Sequence, residues 1–204
     1  MRIFRTIKRI IRILILPNRE WALIDAESES IGLIIKYYAW PFIVLAALIK
    51  AGSVFIKFTN DVNLIQFKIP FSLTILLFYM IVPLFVIMVG GTLIGHLSKA
   101  IGGSGHKNGA LRLVIYSYTP VFLTTLFMNA ETHHQTFQYV GIIGIYAVVL
   151  FWLGMEPMLH VQQEKKLKLL IISAMLFAFL YFIMMFVTRL SINLLYPEGV
   201  VLFL

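Results

Sequence analysis

The stretch IPFSLTILLFYMIVPLFVIMVGGTLIGHL, Ile69–Leu97, holds no Asp, Glu, Lys or Arg. A helix needs about 20 mainly apolar residues to cross a hydrocarbon core of about 30 Å. This run therefore crosses a bilayer with length to spare, and the excess is absorbed by tilt or by a kink at Pro83. Four further runs flank it: Ile31–Phe58, Leu113–Met128 with Pro120 inside it, Phe137–Met155 and Leu169–Val187. The reading is an all-α membrane protein, a bundle of five transmembrane helices.

Composition agrees. Hydrophobic residues make up 60% and charged residues 13% of the chain, against about 25% charged in a soluble domain. Mean hydropathy is +0.92. Cysteine is absent, which removes disulfides, thiolate nucleophiles and thiolate metal sites. The net charge of +8 points to anionic head groups and to topology rather than to nucleic acid, because that is how basic residues act in a membrane chain.

Orientation follows from Lys and Arg. With the N-terminus inside, residues 1–30, the Lys99–Arg112 loop and the Glu156–Lys168 loop face the cytoplasm and hold twelve basic residues. The outward side holds only Lys50, Lys57, Lys68 and Arg189, and Lys36 lies inside the first span. Positive charge marks the cytoplasmic side, so the C-terminus is outside. Lys36 and Lys50 snorkel to opposite interfaces. Tyr37, Tyr38 and Trp40 form an aromatic belt at the inner end of the first span. Residues 1–30 are then a cytoplasmic segment and 31–190 the membrane domain. Residues 191–204, broken by Pro197, are a short apolar interfacial tail.

The segment RIFRTIKRIIRILIL, residues 2–16, is a separate element. Arg2, Arg5, Lys8, Arg9 and Arg12 recur at helical spacing on one face and isoleucines fill the other. That pattern is a basic amphipathic helix lying in the interface, cations towards anionic lipid. Its charges reach too far, and its apolar core is too short, for a cleaved signal peptide. Pro17 stops it, Asn18 caps the next helix and Glu20 favours that helix's dipole.

Small and polar residues offer few chemical motifs. Gly91-x-x-x-Gly95 lets another helix approach closely, within the chain or across a homodimer seam. The loop Gly102-Gly103-Ser104-Gly105-His106-Lys107-Asn108 lacks the spacing and the adjoining strand of a phosphate loop. Glu131, His133 and His134 read as solvated loop residues, since a structural metal site needs about four ligands. Glu156 and His160, four apart and on one face where the helix runs past Pro157, read as an ion pair at the inner boundary or, alternatively, as a proton or cation site. Tyr116-Ser117-Tyr118-Thr119-Pro120 reads either as a kink whose freed carbonyl a hydroxyl re-satisfies, or as the lining of a polar pathway. No catalytic constellation and no cofactor motif is present, so the chain is read as non-enzymatic, with neither metal nor cofactor.

The order of these features resembles the Yip family (Ypt/Rab-interacting proteins) of five-span membrane proteins. The carriers are Pro17-Asn18-Arg19-Glu20-Trp21, Gly90-Gly91-Thr92-Leu93-Ile94-Gly95, Gly102-Gly103, Tyr116-Ser117-Tyr118-Thr119-Pro120, and the span Gly141–Gly154 with Tyr146 and Leu153-Gly154. The resemblance implies a five-helix membrane domain. Eukaryotic relatives act with Rab-type GTPases and carry a long cytosolic region with an Asp-Leu-Tyr-Gly-Pro-like motif. Only residues 1–30 precede the first span here, so Rab binding is not carried over. The compact form is similar to prokaryotic members, which implies the bacterial inner membrane.

Two functions follow. One is a membrane organiser acting through helix contacts and lipid, its partners being the bilayer, anionic head groups, a second copy or other membrane proteins. The alternative is a transporter or channel component using the Gly/Pro-broken second and third spans. A cavity reaching Tyr116–Thr119 favours transport, and a dry packed bundle favours the organiser.

Overall fold

The computed structural model describes residues 2–59, 65–104, 106–128 and 140–196. All regular structure among them is helical. We number the helices α1 (Arg2–Ile15), α2 (Pro17–Ala26), α3 (Ile31–Thr59), α4 (Lys68–Ala100), α5 (Lys107–Ser117), α6 (Thr119–Met128), α7 (Val140–Leu159) and α8 (Gln163–Leu195). A 3-10 turn, Ile65–Phe67, leads into α4.

Three helical stretches are long and apolar enough to cross a membrane: Ile31–Thr59, Ile65–Ala100 and Gln163–Leu195. In α7 the apolar part, Ile143–Leu159, is shorter. The third expected span is not one helix. It divides at Tyr118 into α5 and α6, of 11 and 10 residues. Proline is the reason. Pro120 has no N–H, so the carbonyl four residues back, that of Tyr116, loses its helical partner. The Thr119 hydroxyl takes that place, donating to the Tyr116 carbonyl at 2.6 Å. By contrast α4 runs through Pro83 as one helix, and at about 1.5 Å per residue it is about 50 Å long. Helix α8 passes the expected boundary at 190 and ends at Leu195. Tyr196 then packs edge-on against Phe71 at 4.9 Å and shares a hydrogen bond with Thr74.

Helix α4 is the axis of the bundle, packed against α3, α5 and α8. Helix α7 packs against α5 and α6 and also carries α2 on its flank. Glycines set these approaches. A side chain on Gly91 would strike Leu111 of α5, including its backbone at 3.2 Å. Gly90, one residue earlier, faces Phe177 of α8, and Gly154 of α7 faces both Trp21 of α2 and Leu113 of α5. Gly95 is buried. Gly102 takes a left-handed turn with φ +86°. Its neighbours Gly103 and Ser104 dock by backbone hydrogen bonds on Ser98 and Leu159, so this loop closes α4 onto the end of α7.

Several expectations are corrected. Asn18 is not a cap: α2 begins at Pro17 in the first helical position, with Leu16 before it, where proline's missing N–H costs nothing. Glu156 does not pair with the His160 side chain. It accepts from Lys166 at 2.7 Å and from Gln163, while His160 sits at φ +50° beyond the end of α7. Tyr38 does not join an aromatic belt. It lies in a π-helical turn, Ile35–Ala39, and is buried in the core. Glu131, His133 and His134 lie outside the described residues.

Candidate functional site

The N-terminal helix lies on the bundle rather than on lipid alone. On a helical wheel of 100° per residue, its apolar arc runs from Ile13 and Ile10 through Leu14 to Ile7, Ile11 and Ile15. The first part of that arc packs inward, with Ile13 fully buried and Ile10 and Leu14 against the main core. Ile7, Ile11 and Ile15 stay exposed. The basic face divides as well. Arg5, Lys8 and Arg12 point outward, whereas Arg9 is buried. Arg9 therefore leaves the group expected to face lipid, because it stands at the seam where α1 meets the protein. Arg2 opens the helix.

Arg9 is the centre of a charge clasp. Its Nε donates to Glu20 of α2 at 3.1 Å. Its two terminal nitrogens donate to both carboxylate oxygens of Glu27, just past α2. Nη1 also donates to the Tyr116 hydroxyl of α5 at 3.1 Å. Arg5 reaches Glu27 from the rim at 3.0 Å. A buried charge is tolerated only when paired and hydrogen-bonded, and Arg9 meets that condition with a fork matched to a carboxylate. Burial works against the Arg9 charge, but the Glu27 and Tyr116 contacts outweigh it and hold its pKa above the ordinary value. The Arg9 hydrogen bonds hold the Glu27 carboxyl below its ordinary range, against the opposing effect of burial.

Two further groups complete the seat. Arg112 of α5 donates to the backbone carbonyls of Ile24, Glu27 and Glu29 at 3.1, 2.6 and 2.7 Å. These are the unpaired carbonyls that end a helix and start its linker. On the membrane side, the Thr119 proton already goes to the Tyr116 carbonyl, so Tyr38 must be the donor in its 2.6 Å contact with Thr119. A line of hydrogen bonds thus runs from Tyr38 through Thr119 to the backbone of Tyr116, whose hydroxyl meets Arg9. Elsewhere Thr6 bonds the Tyr37 carbonyl in the π turn, and Tyr146 of α7 bonds the Leu14 carbonyl.

Beside Tyr116 is a cavity of about 100 Å³, walled by Arg5, Arg9, Glu29, Tyr37, Tyr38 and Tyr116 among others. Thr119 does not line it and is 0% exposed, and Ser117 and Pro120 are buried too. Tyr118 lies against Phe122 and Phe177 instead. The five residues of the Tyr116–Pro120 motif are therefore divided between the clasp, the helix break and the apolar core.

A family model described as the Yip1 domain matches residues 11–187. The chain belongs to the Yip1 domain family. It is an integral membrane protein on that ground and on its apolar helices. No curated protein and no solved structure matches the chain. Within the Yip1 domain match stand Glu20, Glu27, Arg112 and Tyr116, while Arg9 stands just before its first residue.

Sequence reasoning missed Glu20, Glu27, Arg112 and Tyr38 as members of one site. Read locally, Glu20 serves a helix dipole, Arg112 a topology charge and Tyr38 an aromatic belt, and Glu27 carries no motif of its own. One signal was available. The chain has only nine acidic residues, and Glu20, Glu27 and Glu29 fall close together directly after the basic helix.

Proposed function

We propose that this protein is a non-enzymatic membrane organiser of the bacterial inner membrane, crossing five times with its N-terminus in the cytoplasm. The five-span reading takes α5 and α6 together as one crossing. At 11 and 10 residues, each is about 15 Å long, so neither crosses alone and the two end to end match the core. The charge asymmetry of the loops supports the orientation. Cysteine labelling at Asn60→Cys and His133→Cys is expected to need no membrane permeabilisation in spheroplasts, and labelling only from the cytoplasm overturns the topology.

The observation that carries the organiser reading is the internal closure of the third span. Tyr38, Thr119, Tyr116 and Arg9 satisfy one another within the chain. Such closure favours a bundle that presents its surface to partners over one that opens to a solute. The transport reading keeps one observation, the cavity of about 100 Å³ that reaches Tyr116. Reconstitution in liposomes separates the two. The organiser reading expects ion and proton flux equal to empty vesicles and the same membrane proteins cross-linked by parent and Tyr116→Phe. Flux above that baseline which Tyr116→Phe abolishes replaces it with transport.

A further inference from the structure

A second cleft, of about 220 Å³, opens between α1 and α2. Arg5, Lys8, Arg9 and Arg12 face it from α1, Glu20 faces it from α2 and Glu27 from just past the end of α2. The carboxylates are already engaged. Glu20 accepts from Arg9, and Glu27 from Arg9 and Arg5. Lys8 and Arg12 have no ion-pair partner among the described residues. They lie four apart, which makes them neighbours on one helix face, where like charges repel. The cleft thus has two surplus cations side by side, in want of a counter-anion.

The surroundings say which anion. Ile11 and Ile15, next to the cation pair on the helical wheel, are 51% and 69% exposed. A soluble phosphate or an acidic peptide leaves that strip in water. An amphiphile covers both surfaces at once, its phosphate on Lys8 and Arg12 and its acyl chain along Ile11 and Ile15. We infer that the α1–α2 cleft binds the phosphate of an anionic glycerophospholipid, so that one lipid molecule seats α1 at the membrane surface. The inference rests on α1 lying at the membrane–cytoplasm boundary, as in the proposed topology. The experiment below is made on purified protein and reads lipid binding whichever way the chain is threaded, so it and the labelling experiment fail separately.

The test uses the full chain in a neutral detergent. Bound lipid is counted by native mass spectrometry, and the unfolding midpoint is followed during titration with phosphatidylglycerol or phosphatidylcholine. Phosphatidylglycerol is expected to bind at one preferred site and raise the midpoint, and phosphatidylcholine to do so much less. The double variant Lys8→Gln/Arg12→Gln is expected to bind phosphatidylglycerol about 30-fold more weakly. Both residues are exposed, so the variant is expected to elute as the parent does. The charge-matched control Arg19→Gln/Lys99→Gln, two exposed cations elsewhere, is expected to bind as the parent. Equal binding by parent and Lys8→Gln/Arg12→Gln overturns the site. Displacement of the lipid by glycerol phosphate at comparable concentration assigns the cleft to a free anion, displacement by polyglutamate assigns it to an acidic protein segment, and either overturns the lipid assignment.

Discussion

The first and last of the described helices, α1 and α8, both lie at the edge of one bundle, and they are held in opposite ways. Helix α8 is 33 residues long and leaves most of its surface outside the protein, with Met175, Phe182 and Leu194 at 68%, 67% and 78% exposure. It packs mainly on α4. Helix α1 is less than half that length, at 14 residues, yet it is tied to α2, to the π turn of α3, and to α5 and α7 by named polar contacts. Lipid explains the contrast. Acyl chains are as apolar as leucine, so an exposed Phe182 needs no protein partner. A buried guanidinium does need one, and Arg9 finds it in two carboxylates and a phenol. In this molecule apolar surface is tolerated where it falls, while charge dictates which segments meet.

The contrast is broken most sharply at Arg9. Arg9→Leu leaves Glu20 facing a seam without its cation and Glu27 with Arg5 alone, and removing one partner of a buried pair costs about 3–5 kcal/mol. We expect α1 to lift, giving a lower unfolding midpoint in detergent and faster proteolysis before Pro17, with α3, α4 and α8 still helical by circular dichroism. An unchanged midpoint and cleavage rate would show that α1 is held by Ile13 and its apolar neighbours alone.

A smaller loss is expected at the glycine between α4 and α5. Gly91→Leu puts a branched side chain against the Leu111 backbone, and overpacking costs about 1–3 kcal/mol or more. Thr92→Leu is expected to cost less, because Thr92 is only half-buried and its hydroxyl bonds its own helix at the Met88 carbonyl. Thermal stability of both variants in one detergent decides the matter. Equal midpoints would mean that α4 and α5 separate freely there.

Tyr116→Phe removes one acceptor from Arg9 and keeps the ring stacked edge-on with Trp21 and Tyr38. A loss of about 1 kcal/mol is expected, read as a modest drop in midpoint. No drop means that the two carboxylates satisfy Arg9 without the phenol.

Acid sharpens the same comparison. Glu27 has a carboxyl pKa held below its ordinary 4.5 by Arg9. Its contribution is complete above that value and is lost as pH falls through the lowered one. The midpoint of the parent should therefore fall on acidification below about pH 4.5, and Glu27→Gln, already without the charge, should show a shallower fall. Parallel curves would remove Glu27 from the clasp.

The smallest effect is expected on α8. Phe182→Ala exchanges one lipid-facing apolar group for another and should shift stability by less than about 0.5 kcal/mol. A loss comparable to that of Gly91→Leu would reveal a protein surface packed on α8.

Read along the chain alone, the residues settle the medium and the three longest apolar runs. Crossing a bilayer depends on about 20 consecutive residues, so it is legible in a sliding window. The break at Pro120 and the role of a neighbouring hydroxyl were legible for the same reason, since Thr119 and the Tyr116 carbonyl are close in sequence. The clasp was not. Arg9 and Tyr116 are 107 positions apart, and the choice of Arg9 over Lys8 or Arg12 as the inward cation depends on the angle at which α1 lands on α2. The inward turn of Tyr38 depends on a π turn that no composition announces. Gly90 and Gly91 are adjacent and identical in type, and only their phase on α4 sends one towards Phe177 and the other towards Leu111. Tertiary structure decided these because a helix fixes its neighbours along the chain but not the direction from which another helix arrives.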